Sequence, residues 1–240
     1  MTVVAQLART VYDIMLEDCD VLTNEQLGEV RRADHVAERW NLNKFRSSGD
    51  TRSTHLHSTE YVLVTLGYAT NTTVRVGAKL HDLIEDCPKG CEDQVREIIA
   101  EWFGERELAI VEALTKKDEA TYFDQLLDAV IAGLWEVALI KPADRLHNIT
   151  TIHGFANYDH EREYFAETLG PLLDFFTKAR QHIPLEHLSA YEDLVLSVID
   201  LTPEMEKKSR QLERERDLGY FPVEPWQKPK TTATGYFPAT

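Results

Sequence analysis

Apolar residues recur at intervals of three and four along most of the chain. Val4, Leu7, Val11, Ile14 and Met15 set that spacing over residues 2–18 and predict a helix. A second helix is expected over 24–39, opened by Thr23 or Asn24 as a cap. The pattern fails over 40–53. There Phe45-Arg46-Ser47-Ser48-Gly49-Asp50 is polar and turn-forming, so a loop is expected. Residues 55–66 (HLHSTEYVLVTL) predict a helix, with a strand as the alternative because of the β-branched residues, and Gly67 ends the element. Residues 72–86 predict the next helix, and Pro88-Lys89-Gly90 a turn. Further helices are expected over 92–103, 105–114, 121–132, 134–148, 160–180 and 186–215. Nothing resembles paired strands or a βαβ alternation. The expected fold class is all-α. One domain covers 1–217, in which the N-terminal helices and the 186–215 helix flank a central bundle, and an extended tail covers 218–240.

The tail changes the character of the chain. Gly219-Tyr220-Phe221-Pro222 recurs as Gly235-Tyr236-Phe237-Pro238. Proline there cannot continue a helix. One explanation is a disordered end with a short repeat. The other is a pair of aromatic-proline hooks that dock on a protein partner, a neighbouring subunit or the chain's own surface.

Composition narrows the function classes. The chain has 240 residues and a net charge of −15, so a nucleic-acid backbone is not an expected partner. A phosphorylated small molecule remains compatible, provided a metal and a few Lys or Arg dominate the pocket. The three cysteines, Cys19, Cys87 and Cys91, form an odd set, and no signal peptide is evident, which points to a reducing cytoplasm. Cys87 and Cys91 could be half of a zinc site, but no second pair completes it, so two incidental thiols are expected. No apolar run approaches the roughly 20 residues that span a bilayer, so no membrane association is expected.

The chemistry concentrates in two segments. His81-Asp82-Leu83-Ile84-Glu85-Asp86 places four ionisable groups among leucine and isoleucine, and Lys141-Pro142-Ala143-Asp144-Arg145-Leu146-His147-Asn148 repeats the mixture downstream. Unpaired charge on an apolar helix face is costly. A metal with acid and base carboxylates beside it would compensate that charge and implies a hydrolase. His81 and Asp82 can reach one ion. Glu85 and Asp86, each four residues further along, would stack over them and reach a water or the substrate. Two more ligands must come from elsewhere, with Asp144 one candidate and His55 or His57 the other. Two imidazoles and two carboxylates without a thiolate suit Mn²⁺, Fe²⁺ or Zn²⁺.

Three ordered motifs resemble the hydrolase domain of RelA/SpoT-type alarmone enzymes, a branch of the HD phosphohydrolases. They are Arg46-Ser47-Ser48-Gly49-Asp50 leading to His55, Leu80-His81-Asp82-Leu83-Ile84-Glu85-Asp86, and Leu139 to Asn148. Phe103-Gly104 and Ala113-Leu114-Thr115-Lys116 echo further family positions, and the resemblance covers about 40–170. It implies an HD-domain helical bundle, usually with Mn²⁺, and removal of the 3′-pyrophosphate of (p)ppGpp. It further implies metal ligation by His55, His81, Asp82 and Asp144, with Glu85 and Asp86 handling the water and the leaving group's proton. Arg46 would flank the guanine and Asn148 would contact the ribose. Ser48, Lys116, Lys141 and Tyr164 would complete the substrate pocket. Family spacing favours His55 over His57. His147 is expected to orient a ligand through a hydrogen bond.

The chain departs from the family in three places. Thr51-Arg52 stands where Pro-Tyr is usual, Thr150 where a basic residue is common, and Pro142 where leucine is usual. A helix beginning near Pro142 would accommodate the last. No synthetase half is evident, so a stand-alone small alarmone hydrolase is expected, either as a housekeeping enzyme or as the antitoxin of an alarmone synthetase. The alternatives are an HD phosphohydrolase acting on an adenine alarmone, NADPH or a nucleoside monophosphate, and a binding module without activity.

Overall fold

The computed structural model describes residues 21–41, 44–46, 51–152 and 158–218. The expected helix over 2–18, Ser48, and the repeated tail motif lie outside the described residues. The fold is an all-α bundle with no strand among the described residues, the one β-type contact being an isolated bridge between Phe45 and Thr51. The helices run α1 (Asn24–Asn41), α2 (Arg52–Leu63), α3 (Thr72–Leu80), α4 (Leu83–Asp86), α5 (Glu92–Trp102) and α6 (Glu105–Leu114). They continue with α7 (Tyr122–Ile131), α8 (Glu136–Thr151), α9 (Tyr158–Glu167), α10 (Leu173–Ala179) and α11 (Leu185–Asp217).

Local chemistry fixes most boundaries. Before α1, the Thr23 hydroxyl accepts from the Gln26 amide and the Gln26 side chain accepts from the Thr23 amide, a reciprocal cap. Thr51 caps α2 by accepting from the amide of Thr54, and Asn71 caps α3 by accepting from that of Val74. Gly67 adopts φ 97°, which closes α2 in a wide turn over Val64–Tyr68 at no steric cost.

α8 is the centre of the bundle. Val137, Ala138, Leu139, Ile140, Ala143, Leu146 and Ile149 are all fully buried, so this helix is apolar nearly all round. It packs against α2, α3 and α11. Gly77 permits close approach of α3, because a Cβ there would stand 2.8 Å from the Ile140 side chain. α3 joins two cores. Val74 and Ala78 pack into the one around α8, while Val76 and Leu80 pack with α1, α4 and α5. The His-Asp pair follows directly at the C-terminal end of α3, where the two cores meet.

Three expectations need correction. Residues 72–86 are not one helix, because α3 ends at Leu80, His81 and Asp82 form a turn, and α4 restarts at Leu83. Pro142 does not begin a helix but lies inside α8. An interior proline costs about 3 kcal/mol; the complete burial of Leu139, Ile140 and Ala143 around it offsets that loss. The expected helix over 160–180 is divided by a wide turn at Thr168–Leu172, which contains Gly170-Pro171.

Candidate metal centre

Three elements bring the candidate ligands together. α2 supplies His55, the turn after α3 supplies His81 and Asp82, and α8 supplies Asp144. The Nε2 of His55 lies 3.2 Å from that of His81, 3.2 Å from Asp144 Oδ1 and 3.5 Å from Asp82 Oδ2. His81 Nε2 lies 3.2 Å from Asp82 Oδ1 and 3.7 Å from Asp144 Oδ1. Ligand atoms about 2.1 Å from an ion stand about 3 Å apart when adjacent in an octahedral shell. His55, His81 and Asp144 therefore have the spacing of a metal shell, and Asp82 stands beside it with a different carboxylate oxygen toward each imidazole. His57 is excluded from the shell, because its Nδ1 faces Asp34 at 3.4 Å and Lys79 at 3.4 Å.

The imidazoles are oriented from behind. His81 Nδ1 lies 2.8 Å from the Ala78 carbonyl, which only accepts, so Nδ1 carries a proton and Nε2 is the nitrogen turned to the cluster. His55 Nδ1 lies 2.8 Å from His147 Nδ1. Burial, with His55 and Arg46 adding to it, pushes the His147 pKa down to about 3, so His147 is neutral and can accept from His55. Burial opposes a charged His81, but Asp82 and Asp144 outweigh it and push its pKa up to about 10. Burial likewise opposes the carboxylates, yet His81 beside Asp82 and Lys141 beside Asp144 hold both well below the usual range. The well that attracts a proton to His81 would attract a divalent cation.

A cavity of about 450 Å³ opens over this cluster, a volume suited to a small ligand. Its wall includes His81, Asp82, Asp144, Glu85, Lys116, Lys141, Asn148 and Tyr164. Burial raises the Glu85 pKa, and its carboxylate accepts from the amide of Lys116. Lys141 donates to Asp144 Oδ2 at 2.9 Å, and Asn148 Nδ2 donates to Asp144 Oδ1 at 2.6 Å.

Three expected site residues among the described ones stand off the cavity wall: His55, buried beside His81 and Asp144, and also Arg46 and Asp86. Arg46 donates to the side chain of Asn148 and lies 3.5 Å from His147 Nδ1, behind the ligands. Asp86 forms an ion pair with Arg52, and its backbone carbonyl accepts from Lys44. The helical turn from Asp82 to Asp86 is intact, the Asp86 amide donating to the Asp82 carbonyl at 2.9 Å, but the Asp86 side chain is turned to Arg52.

The structure adds residues with no role assigned from sequence. The Tyr122 ring lies beneath both cavity lysines, with Lys116 Nζ and Lys141 Nζ each 5.2 Å from its centroid. The Arg145 guanidinium stacks 3.9 Å over the Tyr164 ring and pairs with Glu167. His160, Glu163, Tyr164 and Glu167 line the cavity along one face of α9. Their spacing of three, four and seven was a readable signal. Tyr122 gave none, because it resembles any core aromatic.

Comparison with known proteins agrees with the resemblance and limits it. No protein-family model matches the chain. It is similar to the GTP pyrophosphokinase of Streptomyces coelicolor, with 33% identity over 144 residues, covering 57% of this chain and 16% of that protein. It is similar to the bifunctional (p)ppGpp synthase/hydrolase SpoT of Escherichia coli K12, with 30% identity over 158 residues, 62% of this chain and 21% of that protein. The probable GTP pyrophosphokinase of Mycobacterium leprae matches at 30% over 195 residues, 74% of this chain and 24% of that protein. The matched segments thus span a quarter or less of these relatives. Among the described residues no helix is long and apolar enough to cross a membrane.

Proposed function

We propose that this chain is a metal-dependent hydrolase that removes the 3′-pyrophosphate of (p)ppGpp, with Mn²⁺ as the expected ion and Fe²⁺ or Zn²⁺ as alternatives. The observation that carries this reading is the convergence of His55, His81 and Asp144, with Asp82 beside both imidazoles, next to a cavity lined by Glu85, Lys116 and Lys141. A divalent ion held by these four side chains would polarise a phosphoryl oxygen and acidify a water.

The chain's own residues divide the remaining work. Glu85 faces the cavity with a raised pKa and accepts the proton of the attacking water. The water oxygen joins the phosphorus next to the ribose, the bond to the 3′ oxygen breaks, and that oxygen takes a proton. The products are GDP or GTP and pyrophosphate. Lys116 and Lys141 neutralise the phosphates, and Tyr122 beneath them limits where their ammonium groups can go. Asn148 holds Asp144 and is held by Arg46, so Arg46 supports the site from behind before any substrate binds. The Tyr164 ring, held by the buried Arg145 stacked on it, gives the cavity wall an aromatic surface suited to a base.

Two of the relatives are named for synthesis alone and the third for both synthesis and hydrolysis, so the direction of the reaction needs its own test. Product chromatography after incubation with ppGpp in one vessel, and with ATP plus GTP in another, separates the two. GDP and pyrophosphate from the first and no ppGpp from the second supports hydrolysis; the reverse removes the proposal. A parallel vessel with adenine nucleotides and NADPH tests the alternative that Thr51-Arg52 shifts base choice. Faster turnover there than with ppGpp would transfer the assignment to that substrate.

A further inference from the structure

Behind the candidate metal centre, α2 and α3 meet at a second charged contact that takes no part in the reaction proposed above. Glu60 on α2 and Arg75 and Lys79 on α3 are almost completely buried. Glu60 Oε1 accepts from Arg75 Nε at 2.7 Å, and Glu60 Oε2 pairs with Lys79 Nζ. Each oxygen of Glu60 is thus committed to a different residue of α3. Lys79 also pairs with Asp34 on α1, and His57 Nδ1 lies 3.4 Å from its ammonium. The carboxylates of Glu60 and Asp34 are thereby matched by the cations of Arg75 and Lys79, and none of these residues lines the cavity.

The same two helices meet at the ligands. His55 lies on α2, His81 follows α3 directly, and their Nε2 atoms are 3.2 Å apart. Glu60 follows His55 by five positions, and Lys79 precedes His81 by two. On each helix the charged residue therefore sits roughly 140–200° around the axis from the histidine. A single contact between two helices leaves each free to roll about its axis, and a second contact on another side of both stops the roll. A buried ion pair is strict in this respect, because a slip leaves charge unpaired. We infer that the pair of Glu60 and Lys79, with Arg75, is a positioning contact that fixes the roll of α2 against α3 and so presents His55 and His81 to one metal ion. This rests on the metal centre proposed above. Asp34 has a different duty: it joins α1 to Lys79, and α1 carries none of the candidate ligands.

The test titrates Mn²⁺ calorimetrically into metal-stripped wild type, Glu60→Gln, Lys79→Met, the Glu60→Gln/Lys79→Met double variant and Asp34→Asn, with helical circular dichroism showing that each is folded. Glu60→Gln and Lys79→Met are each expected to weaken Mn²⁺ binding by about tenfold, the lower end for groups that support ligands from outside. The double variant should be no worse than either, because both changes remove one interaction. Asp34→Asn should lower the urea midpoint and bind Mn²⁺ as wild type does. Wild-type affinity in Glu60→Gln would overturn the inference, since apolar packing would then orient α2 unaided. An equal loss of affinity in Asp34→Asn would overturn it too, since general loosening would explain the effect. If Lys79→Met does not fold, the comparison of Glu60→Gln with Asp34→Asn decides. If wild type binds no divalent ion, the metal-centre reading fails separately, and histidine nitrogen spectra of the metal-free protein decide the contact. His55 and His81 signals that move in Glu60→Gln and hold in Asp34→Asn keep the inference, and any other pattern refutes it.

Discussion

His147 Nδ1 lies 2.8 Å from His55 Nδ1, so one buried imidazole sets the direction of another. His55 donates, and its Nε2 faces Asp82, His81 and Asp144. Removing the acceptor leaves the Nδ1 proton unpaired and the ring free to turn. Such outer partners are commonly worth ten- to a hundredfold in metal affinity. His147→Ala is expected to weaken Mn²⁺ binding by about that factor. Calorimetric titration of the metal-stripped protein reads the change, and unchanged helical circular dichroism shows that the fold survives. Wild-type affinity in the variant would mean that packing alone orients His55.

The Arg145–Tyr164 stack separates the ring from its hydroxyl. Arg145 lies over the ring face at 3.9 Å, and burial pushes the Tyr164 pKa up to about 12, so the phenol is neutral across the working range. Tyr164→Phe keeps the face and should retain wild-type kinetics. Tyr164→Ala removes a cation–π contact worth about 0.5–2 kcal/mol, so KM should rise several-fold with a smaller change in kcat. Steady-state kinetics on both variants decides it; equal losses in the two would give the role to the hydroxyl.

A second charged cluster lies behind the site. Glu60 on α2 accepts from Arg75 at 2.7 Å and pairs with Lys79, both on α3, and Lys79 also pairs with Asp34 on α1. Burial alone would raise the Glu60 pKa, but Lys79 and Arg75 outweigh it and hold it below its ordinary 4.5. A depressed carboxylate stabilises the fold fully above its unfolded pKa, and that contribution is lost as pH falls through the folded value. Acid unfolding should therefore steepen below about pH 4.5. Glu60→Gln should flatten that limb and lower stability at neutral pH by about 3 kcal/mol, because it removes the buried carboxylate that Arg75 and Lys79 share while Lys79 keeps Asp34. Urea titrations at several pH values measure both effects. An unchanged acid limb would assign it to other carboxylates.

Helical periodicity made the all-α class and most helix limits readable, because α1, α5, α7 and α11 each bury one stripe and leave the other wet. It was weakest at α2. There His55, Leu56, Thr59, Glu60, Tyr61, Val62 and Leu63 are all buried, so no polar face remains to mark the period and a strand competed. The break at His81-Asp82 and the interior Pro142 were hidden for a related reason. Both depend on tertiary packing that offsets a local cost, which a one-dimensional pattern does not carry. That His81 and Asp144 gather in one charged cluster was legible because charged residues amid leucines are expensive without compensation. The placement of Asp86 was not, since its distance from the cavity goes with a contact to Arg52 on another helix, which spacing along the chain does not carry. Arg52, read from sequence as a departure that bears on base recognition, lies against Asp86.

The most direct measurement follows pyrophosphate release from ppGpp while Mn²⁺ is titrated into metal-stripped wild type, Asp82→Asn and Asp144→Asn. Activity in wild type should rise with metal and be abolished by chelator, and the two variants should neither bind the ion tightly nor turn over. Pyrophosphate release that ignores the chelator, or wild-type turnover in either variant, would contradict a hydrolytic metal centre at His55, His81, Asp82 and Asp144.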